Sequence, residues 1–162
     1  ACRPPSKETM TSLDVASVDV FVLRKRPEGL QVLLMRRGPA TRSTGAWEIV
    51  HGRIEEDESP EAAAVREVFE ETGLQVDRLY SVTTQAFYVP RERRVFLAVV
   101  FAAFVSSENV RLGPEHDQAE WLSAAAAAER MTWPRSVAAM GDVLRLLSKG
   151  DAGPAEDVLR VL

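Results

Sequence analysis

The residues best suited to chemistry are three glutamates close together in the chain, Glu67, Glu70 and Glu71. If this stretch is helical, the spacing i, i+3, i+4 places them within an arc of about 100°, because each helical residue advances by about 100°. Like charges this close disfavour a helix by a few tenths of a kcal/mol per pair unless a cation lies among them. Mg²⁺ and Mn²⁺ prefer oxygen ligands and commonly bind with substrate phosphates. The spacing predicts a divalent-metal site; the alternative is an acidic helix face that is merely solvated.

Neighbouring residues could complete or balance such a site. Arg66 can reach Glu70 one helical turn on, but a single guanidinium cannot neutralise three carboxylates. Glu58 and the backbone carbonyl of Gly52 are further candidate oxygen ligands. A glycine at position 52 also permits close approach of the backbone to another group.

Several residues outside the glutamate cluster are candidates for contacting substrate. Arg36 and Arg37 end a predicted strand, and Arg53 follows Gly52, so their guanidinium groups could bind phosphate oxygens. His51 could contact a phosphate or narrow the loop, and Tyr88 could stack on a base. Solvated arginines, a structural histidine and ordinary packing of the tyrosine are the alternatives.

The helix that must carry the glutamates has clear ends in the sequence. Ser59 is a favoured N-cap, Pro60 is tolerated in the first turn, and Gly73 suits the position just past the end. These signals predict a helix over residues 60–72. Three apolar residues at helical spacing are expected to form its buried stripe on the side opposite the glutamates: Ala62, Val65 and Phe69.

The remaining elements alternate between strands and helices. Runs rich in Val, Phe, Tyr and Thr, bounded by turn residues, predict strands over 15–23, 30–35, 47–50, 79–89, 95–105 and 120–122. Helical spacing predicts helices over 124–130 and 134–147. We expect a flexible N-terminal segment over 1–12, one domain over 13–148, and a C-terminal tail with a short helix over 149–162.

Composition limits the class of protein. The 162 residues carry a net charge of −4, with 46% hydrophobic and 27% charged residues, which is typical of one globular domain and offers no basic surface for long nucleic acid. Cys2 is the single cysteine, so no intramolecular disulfide can form. No apolar run approaches the ~20 residues that span a bilayer. A cytoplasmic protein that binds neither membrane nor long nucleic acid is expected.

The stretch from Gly52 to Leu74 reads GRIEEDESPEAAAVREVFEETGL and resembles the signature of the Nudix hydrolases, G-x5-E-x7-R-E-U-x-E-E-x-G-U, where U is aliphatic. We call this stretch the box. No fixed position departs from the pattern. The matches are Gly52, Glu58, Arg66, Glu67, Val68, Glu70, Glu71, Gly73 and Leu74.

The resemblance implies an α/β fold, an α/β/α sandwich around a mixed sheet in which the box forms a loop-helix-loop metal site. It implies a Mg²⁺ or Mn²⁺ cofactor held by Glu67, Glu70 and Glu71, with Glu58 in support and Arg66 orienting a carboxylate. Glu115, in a late loop, occupies the place of a further carboxylate found in the family. The general base is expected to be Glu67 or Glu71, with Glu115 as the candidate outside the box.

The resemblance also implies hydrolysis of a phosphoanhydride in a small-molecule nucleotide. The segment EHDQAEWLS, followed by an alanine-rich helix and Trp133-Pro134-Arg135, is similar to the MutT-like nucleoside triphosphate pyrophosphohydrolases. Hydrolases of diadenosine polyphosphates remain an alternative. ADP-ribose pyrophosphatases are another, because the position of Pro90 resembles a sequence mark of those enzymes. A nucleotide-binding module without catalysis is the alternative class, and assembly as a homodimer is left open.

Overall fold

The computed structural model describes residues 12–162. The flexible segment expected over 1–12 therefore lies outside the described residues, except for residue 12, which begins the first strand. The elements are β1 Ser12–Arg26, β2 Gly29–Arg37, β3 Trp47–Glu48, β4 Val50–Arg53, α1 Pro60–Thr72, β5 Arg78–Val89, β6 Arg94–Phe104, β7 His116–Ser123, α2 Ala124–Arg130, α3 Pro134–Leu147 and α4 Glu156–Leu159. A single 3₁₀ turn, Gly153–Ala155, leads into α4.

The strands form one mixed sheet. Its main order is β3-β2-β1-β6-β5, while β4 pairs with β1 and β7 pairs with β2. The β1–β6 pair is parallel and the other pairs are antiparallel. This confirms the mixed sheet that the resemblance implies.

Alternate side chains of β1 fill two separate cores, because successive strand residues point to opposite faces. On one face Val18, Val20 and Val22 pack with Ala64 and Val68 of α1. On the other face Phe21 and Leu23 pack in a cluster with three residues of α3: Met140, Val143 and Leu147. Helices therefore cover both faces of the sheet, as expected for an α/β/α sandwich.

Helix α1 has the predicted ends but not the predicted buried stripe. The Ser59 side chain accepts a hydrogen bond from the Ala62 amide, and Gly73 adopts the left-handed conformation at φ 70°. Phe69 is 50% exposed and Ala62 is exposed, whereas Val68 is fully buried. The predicted stripe of Ala62, Val65 and Phe69 was wrong for Ala62 and Phe69, whereas Val65 is partly buried and packs against the core. The small side chains of Ala63 and Ala64, with Val68, let the helix lie close to the sheet.

Two strand predictions also need correction. The single strand expected over 47–50 is two short strands, because β3 pairs with β2 whereas β4 pairs with β1. His51 and Gly52 therefore lie within β4 rather than after a strand. The strand expected over 120–122 begins at His116, so it follows Glu115 directly.

The C-terminal residues pack on the edge of the sheet. The Val161 amide donates to the carbonyl of Leu79 at 2.8 Å, and the Tyr80 hydroxyl donates to Glu156 at 2.9 Å. Among the helices of residues 12–162, none is long and apolar enough to cross a membrane.

Candidate active site

The inner side of α1 meets the backbone of β4 at Gly52. A Cβ atom at position 52 would lie 1.9 Å from Cδ and 2.1 Å from Oε1 of Glu67, so only glycine leaves room for this carboxylate. Glu67 and Glu71 lie on the part of the helix that faces the sheet, and Glu70 is exposed. The acidic face and the buried face of α1 therefore overlap, instead of lying opposite each other as the sequence suggested.

Arg66 connects the glutamates of the helix to the loop before it. Its Nε and Nη2 donate to the two carboxylate oxygens of Glu58, each at 2.8 Å. Its Nη1 donates to Glu67 at 2.8 Å and to Glu70 at 3.2 Å, and Nη2 also donates to the Arg53 carbonyl at 2.8 Å. The hydrogen bonds from Arg66 lower the pKa of Glu58 to about 2. The predicted contact between Arg66 and Glu70 is present, but the strongest partner of Arg66 is Glu58.

Glu71 differs from Glu58 and Glu67 in its electrostatic surroundings, because the charge of Arg37 only partly offsets the negative charges around it. Its Oε2 is buried and makes no hydrogen bond to any of residues 12–162. Burial, followed by the charges of Glu67, Glu48 and Glu115, raises the pKa of Glu71 to about 9. An unpaired buried carboxylate oxygen is costly, and a cation is the natural group to offset that cost.

These residues fit a divalent cation in chemistry. Within residues 12–162 no three His, Cys, Asp or Glu side chains are already arranged to hold a metal ion. Arg66 hydrogen-bonds Glu67 and Glu70, whereas the Oε2 of Glu71 is unpaired. The carboxylates supply only oxygen donors, and the missing side chain of Gly52 leaves space for the Glu67 carboxylate. Both features suit a hard cation such as Mg²⁺ or Mn²⁺.

Arg37 is held at the edge of this cluster by Glu48. Its Nη1 donates to Glu48 at 2.8 Å and its Nη2 lies 3.5 Å from Glu115. Glu48 also receives hydrogen bonds from His116 at 3.2 Å and from the indole of Trp133 at 2.8 Å. Burial alone would raise the pKa of Glu48, but these three donors lower it to about 2. Glu48 was not among the predicted site residues, because its partners come from distant parts of the chain.

A second buried carboxylate, Asp19, holds His51. The side chains pair across β1 and β4, with Asp19 Oδ1 2.6 Å from His51 Nδ1. Arg135 donates to Asp19 at 3.2 Å and lies over the ring of Phe87 at 4.3 Å. Burial opposes ionisation, but His51 and then Arg135 keep the pKa of Asp19 below its ordinary value. Asp19 and the side chain of Arg135 were not among the predicted site residues.

A cavity of about 250 Å³ opens beside His51. Arg53 contributes to its wall, and its side chain is 81% exposed. Phe87 and Phe96 also line it, with their rings stacked at 5.7 Å. The cavity is a space into which a group attached to a phosphate chain could extend.

Two of the predicted substrate contacts face elsewhere. Arg36 forms a two-pronged pair with Asp117 at 2.8 and 2.9 Å, and alternation along β2 directs it away from Arg37. Tyr88 is half-exposed and points to the opposite sheet face from Phe87, the residue whose ring contacts His51. The structure thus brings Arg37, His51 and Arg53 near the box, but not the side chains of Arg36 and Tyr88.

Known proteins share both the sequence and the architecture. The NUDIX domain profile matches residues 14–140. The octanoyltransferase of Myxococcus xanthus is 38% identical over 118 residues, which cover 71% of this chain and 32% of that protein. A MutT-like protein of Streptomyces ambofaciens is 33% identical over 132 residues, covering 78% of this chain and 75% of that protein. The chain thus spans about a third of the first relative's length and three quarters of the second's.

A solved structure agrees with these matches. The MutT protein of Methanosarcina mazei Go1 superposes with a TM-score of 0.67 at 25% identity, covering 83% of this chain and 95% of that one. The similarity covers most of both chains, so the fold and the sequence match point to the same family.

Proposed function

The chain belongs to the NUDIX domain family, the Nudix hydrolases, and from this premise we propose that it is a divalent-metal-dependent pyrophosphohydrolase of nucleoside triphosphates. The observation that carries the proposal is the buried, unpaired Oε2 of Glu71 beside Glu67, in a helix whose signature is complete. Enzymes of this family generally use divalent metal ions. The Mg²⁺ or Mn²⁺ ion would be held by Glu67, Glu70 and Glu71, with the carbonyl of Gly52.

In the site formed by these residues, a bound divalent ion would neutralise charge on phosphate oxygens and lower the pKa of a water molecule. The chain supplies the rest. Gly52 makes room for the Glu67 carboxylate, and Arg66 together with Glu58 fixes the helix to the preceding loop. Both contacts restrict where the acidic oxygens lie, and such placement accounts for much of a catalyst's advantage.

Phosphate oxygens of the substrate would be met by cationic groups at the rim. Arg53 is the freest of these, since its side chain is 81% exposed and its nearest carboxylate, Glu92, lies 4.0 Å away. Arg37 is held by Glu48 and faces Glu115, so it can offset the negative charge that the carboxylates impose on an anionic substrate. His51 lies next to Gly52 and would contact the phosphate chain or the group attached to it.

Glu115 is the candidate to accept a proton from the attacking water. Its carboxylate is 59% exposed, and its contact with Arg37 is long at 3.5 Å, so it is not committed to a strong pair. Glu67 is bonded to Arg66, and Glu71 is favoured as a cation ligand. A positioned base contributes about 10²–10⁴ in rate. Glu67 and Glu71 remain the alternative bases within the box.

Triphosphates are favoured by the segment from Glu115 to Ser123 and the Trp133-Pro134-Arg135 sequence, which are similar to MutT-like enzymes. The ADP-ribose alternative depends on Pro90, which lies in the turn between β5 and β6, a place where proline is common for conformational reasons. A small-molecule nucleotide is the partner in either case.

The test is a panel of nucleoside triphosphates, diadenosine polyphosphates and ADP-ribose, with products identified by mass, at varied Mg²⁺ and Mn²⁺. We expect metal-dependent release of pyrophosphate and a nucleoside monophosphate, and a rate lowered several hundredfold in Glu71→Gln. Gly141→Ala is the matched control, because a Cβ at this helical position meets no atom of residues 12–162 within 4 Å. Binding of nucleotides without turnover would instead favour the non-catalytic module.

A further inference from the structure

The segment 111–115 lies on the C-terminal end of α1. The Arg111 amide donates to the Thr72 carbonyl at 2.8 Å, and the Gly113 amide donates to the Glu71 carbonyl at 3.0 Å. The last carbonyl groups of a helix have no partner within the helix. Here a separate part of the chain supplies two of the missing donors, and one of the two carbonyls belongs to Glu71 itself.

Gly113 is the point of closest approach. A Cβ at this position would lie 2.8 Å from the carbonyl oxygen of Glu70 and 3.5 Å from Cα of Glu71. Both atoms belong to the helix backbone, so they cannot move aside as a flexible side chain would. The absence of a side chain at Gly113 is therefore needed for the segment to lie this close to the helix.

The other end of the segment is also fixed by its backbone. The Glu115 carbonyl accepts a hydrogen bond from the Gly38 amide at 2.9 Å, which ties it to the end of β2. A single residue, Pro114, separates Gly113 from Glu115, and its φ angle is fixed by the proline ring. The Glu115 backbone is thus held from both sides while its carboxylate stays exposed near Arg37.

We propose that Gly113 is a positioning residue, which lets the segment 111–115 dock on the end of α1 and so fixes Glu115 beside Glu71. The inference rests on the proposed function, in which Glu115 accepts the proton of the attacking water. It assigns a task to a glycine outside the box. It also explains how a residue more than forty positions after Glu71 in the sequence is kept in register with it.

The first test compares Gly113→Ala with Gly141→Ala. A methyl group at position 113 must push the segment from the helix, so hydrogen exchange at the amides of residues 111 and 113 should become faster. We expect kcat to fall tenfold or more with KM changed less than threefold, because displacements of about 1 Å in a catalytic group can cost 10²-fold. Gly141→Ala should leave both the rate and the exchange unchanged. A Gly113→Ala enzyme with normal kcat would overturn the proposal.

The second test asks whether Gly113 acts through Glu115. In a Glu115→Gln background, Gly113→Ala should lower kcat by less than about twofold, since residues that act together are not additive. An equal loss in both backgrounds would overturn the proposal. Pro114→Gly, an exposed change that loosens the connection without a clash, should reduce kcat in the native background only. If Gly113→Ala does not fold, the Pro114→Gly variant tests whether segment 111–115 positions Glu115.

These outcomes are separable from failure of the proposed function. If the native protein hydrolyses no nucleotide with Mg²⁺ or Mn²⁺, the proposed function is refuted and kcat and KM cannot be compared between variants. The exchange measurement then still reports whether segment 111–115 docks through Gly113, and unchanged exchange in Gly113→Ala would refute that docking. If the native protein is active and Glu115→Gln is impaired while Gly113→Ala is not, only the positioning role is refuted.

Discussion

Gly52→Ala perturbs the candidate metal site at a single point. The added Cβ would lie 1.9 Å from the Glu67 carboxyl carbon, whereas carbon atoms in contact stay about 3.5 Å apart. The carboxyl carbon must therefore move away by about 1.6 Å. Because the obstructing atoms belong to the end of a side chain, Glu67 can swing away while the backbone of β4 stays in place.

The change should affect activity far more than folding. Loss of the Glu67 hydrogen bond to Arg66 costs up to about 2 kcal/mol, and alanine for glycine in the unfolded chain offsets about 0.4–1 kcal/mol of it. The unfolding free energy should therefore fall by no more than about 2 kcal/mol. A misplacement above 1 Å in a metal-binding carboxylate should lower kcat by about 10²-fold.

The assay is initial-rate release of pyrophosphate against Mg²⁺ concentration, together with Mn²⁺ affinity measured by electron paramagnetic resonance. We expect Gly52→Ala to need more metal and to remain slow at saturation, while Gly141→Ala behaves as the native protein. If Gly52→Ala folds and keeps a rate and a Mn²⁺ affinity within threefold of the native values, the Glu67 carboxylate does not need the space beside Gly52, and the prediction is refuted.

Three further predictions follow from burial and charge. In metal-free protein Glu71 keeps its proton to a pKa of about 9, against an ordinary value of 4.5, so the unfolding free energy should fall as pH rises from about 4.5 to 9. Urea titrations at several pH values should show that Glu71→Gln removes this pH dependence. An unfolding free energy that varies with pH as in the native protein would contradict the prediction. Glu48 has its pKa lowered to about 2, so its stabilisation is complete above pH 4.5 and is lost as pH falls through 2. Glu48→Gln should cost about 3 kcal/mol at pH 7 and little at pH 2, and equal stability at pH 7 would count against the buried network. Denaturant unfolding should show a loss of about 2 kcal/mol in unfolding free energy for Val68→Ala and of under about 1 kcal/mol for Phe69→Ala. The reverse order would mean that Phe69, and not Val68, lies on the buried face of α1.

The features that could be predicted from the sequence are those that depend on residues close together in the chain. Glu67, Glu70 and Glu71 belong to one helix, so their spacing alone defines their relative directions, and Ser59 and Gly73 mark the ends of that helix. The strand order of the sheet could be expected only through the resemblance to the family. Periodicity does not reveal which strands pair.

The sequence could not predict the contacts between distant residues. Asp19 and His51 are 32 positions apart, and they meet because β1 and β4 pair in one particular register. Glu48 meets Trp133 from 85 positions away. A lone acidic residue in a hydrophobic strand is a weak signal of such pairing, because a buried charge must find partners, but it does not say which ones.

The wrong orientation of α1 has a related cause. Hydrophobic size marked Phe69 as a core residue, yet the helix packs closely on the sheet through small side chains, Ala63 and Ala64. Packing distance depends on both surfaces in contact, and the sequence of the helix describes only one of them. The helix that packs this way also carries the buried Oε2 of Glu71.

Nucleotide hydrolysis by this chain is proposed to depend on a divalent cation bound by the box glutamates. The most direct measurement is a crystal structure of the native chain with Mn²⁺ and a non-hydrolysable nucleoside triphosphate, with the ion located by anomalous scattering. We predict an anomalous peak at the carboxylates of Glu67 and Glu71 with the phosphates against it, and its loss in Glu71→Gln. A nucleotide bound with no ion at these glutamates, or an ion unaffected by Glu71→Gln, would contradict the account.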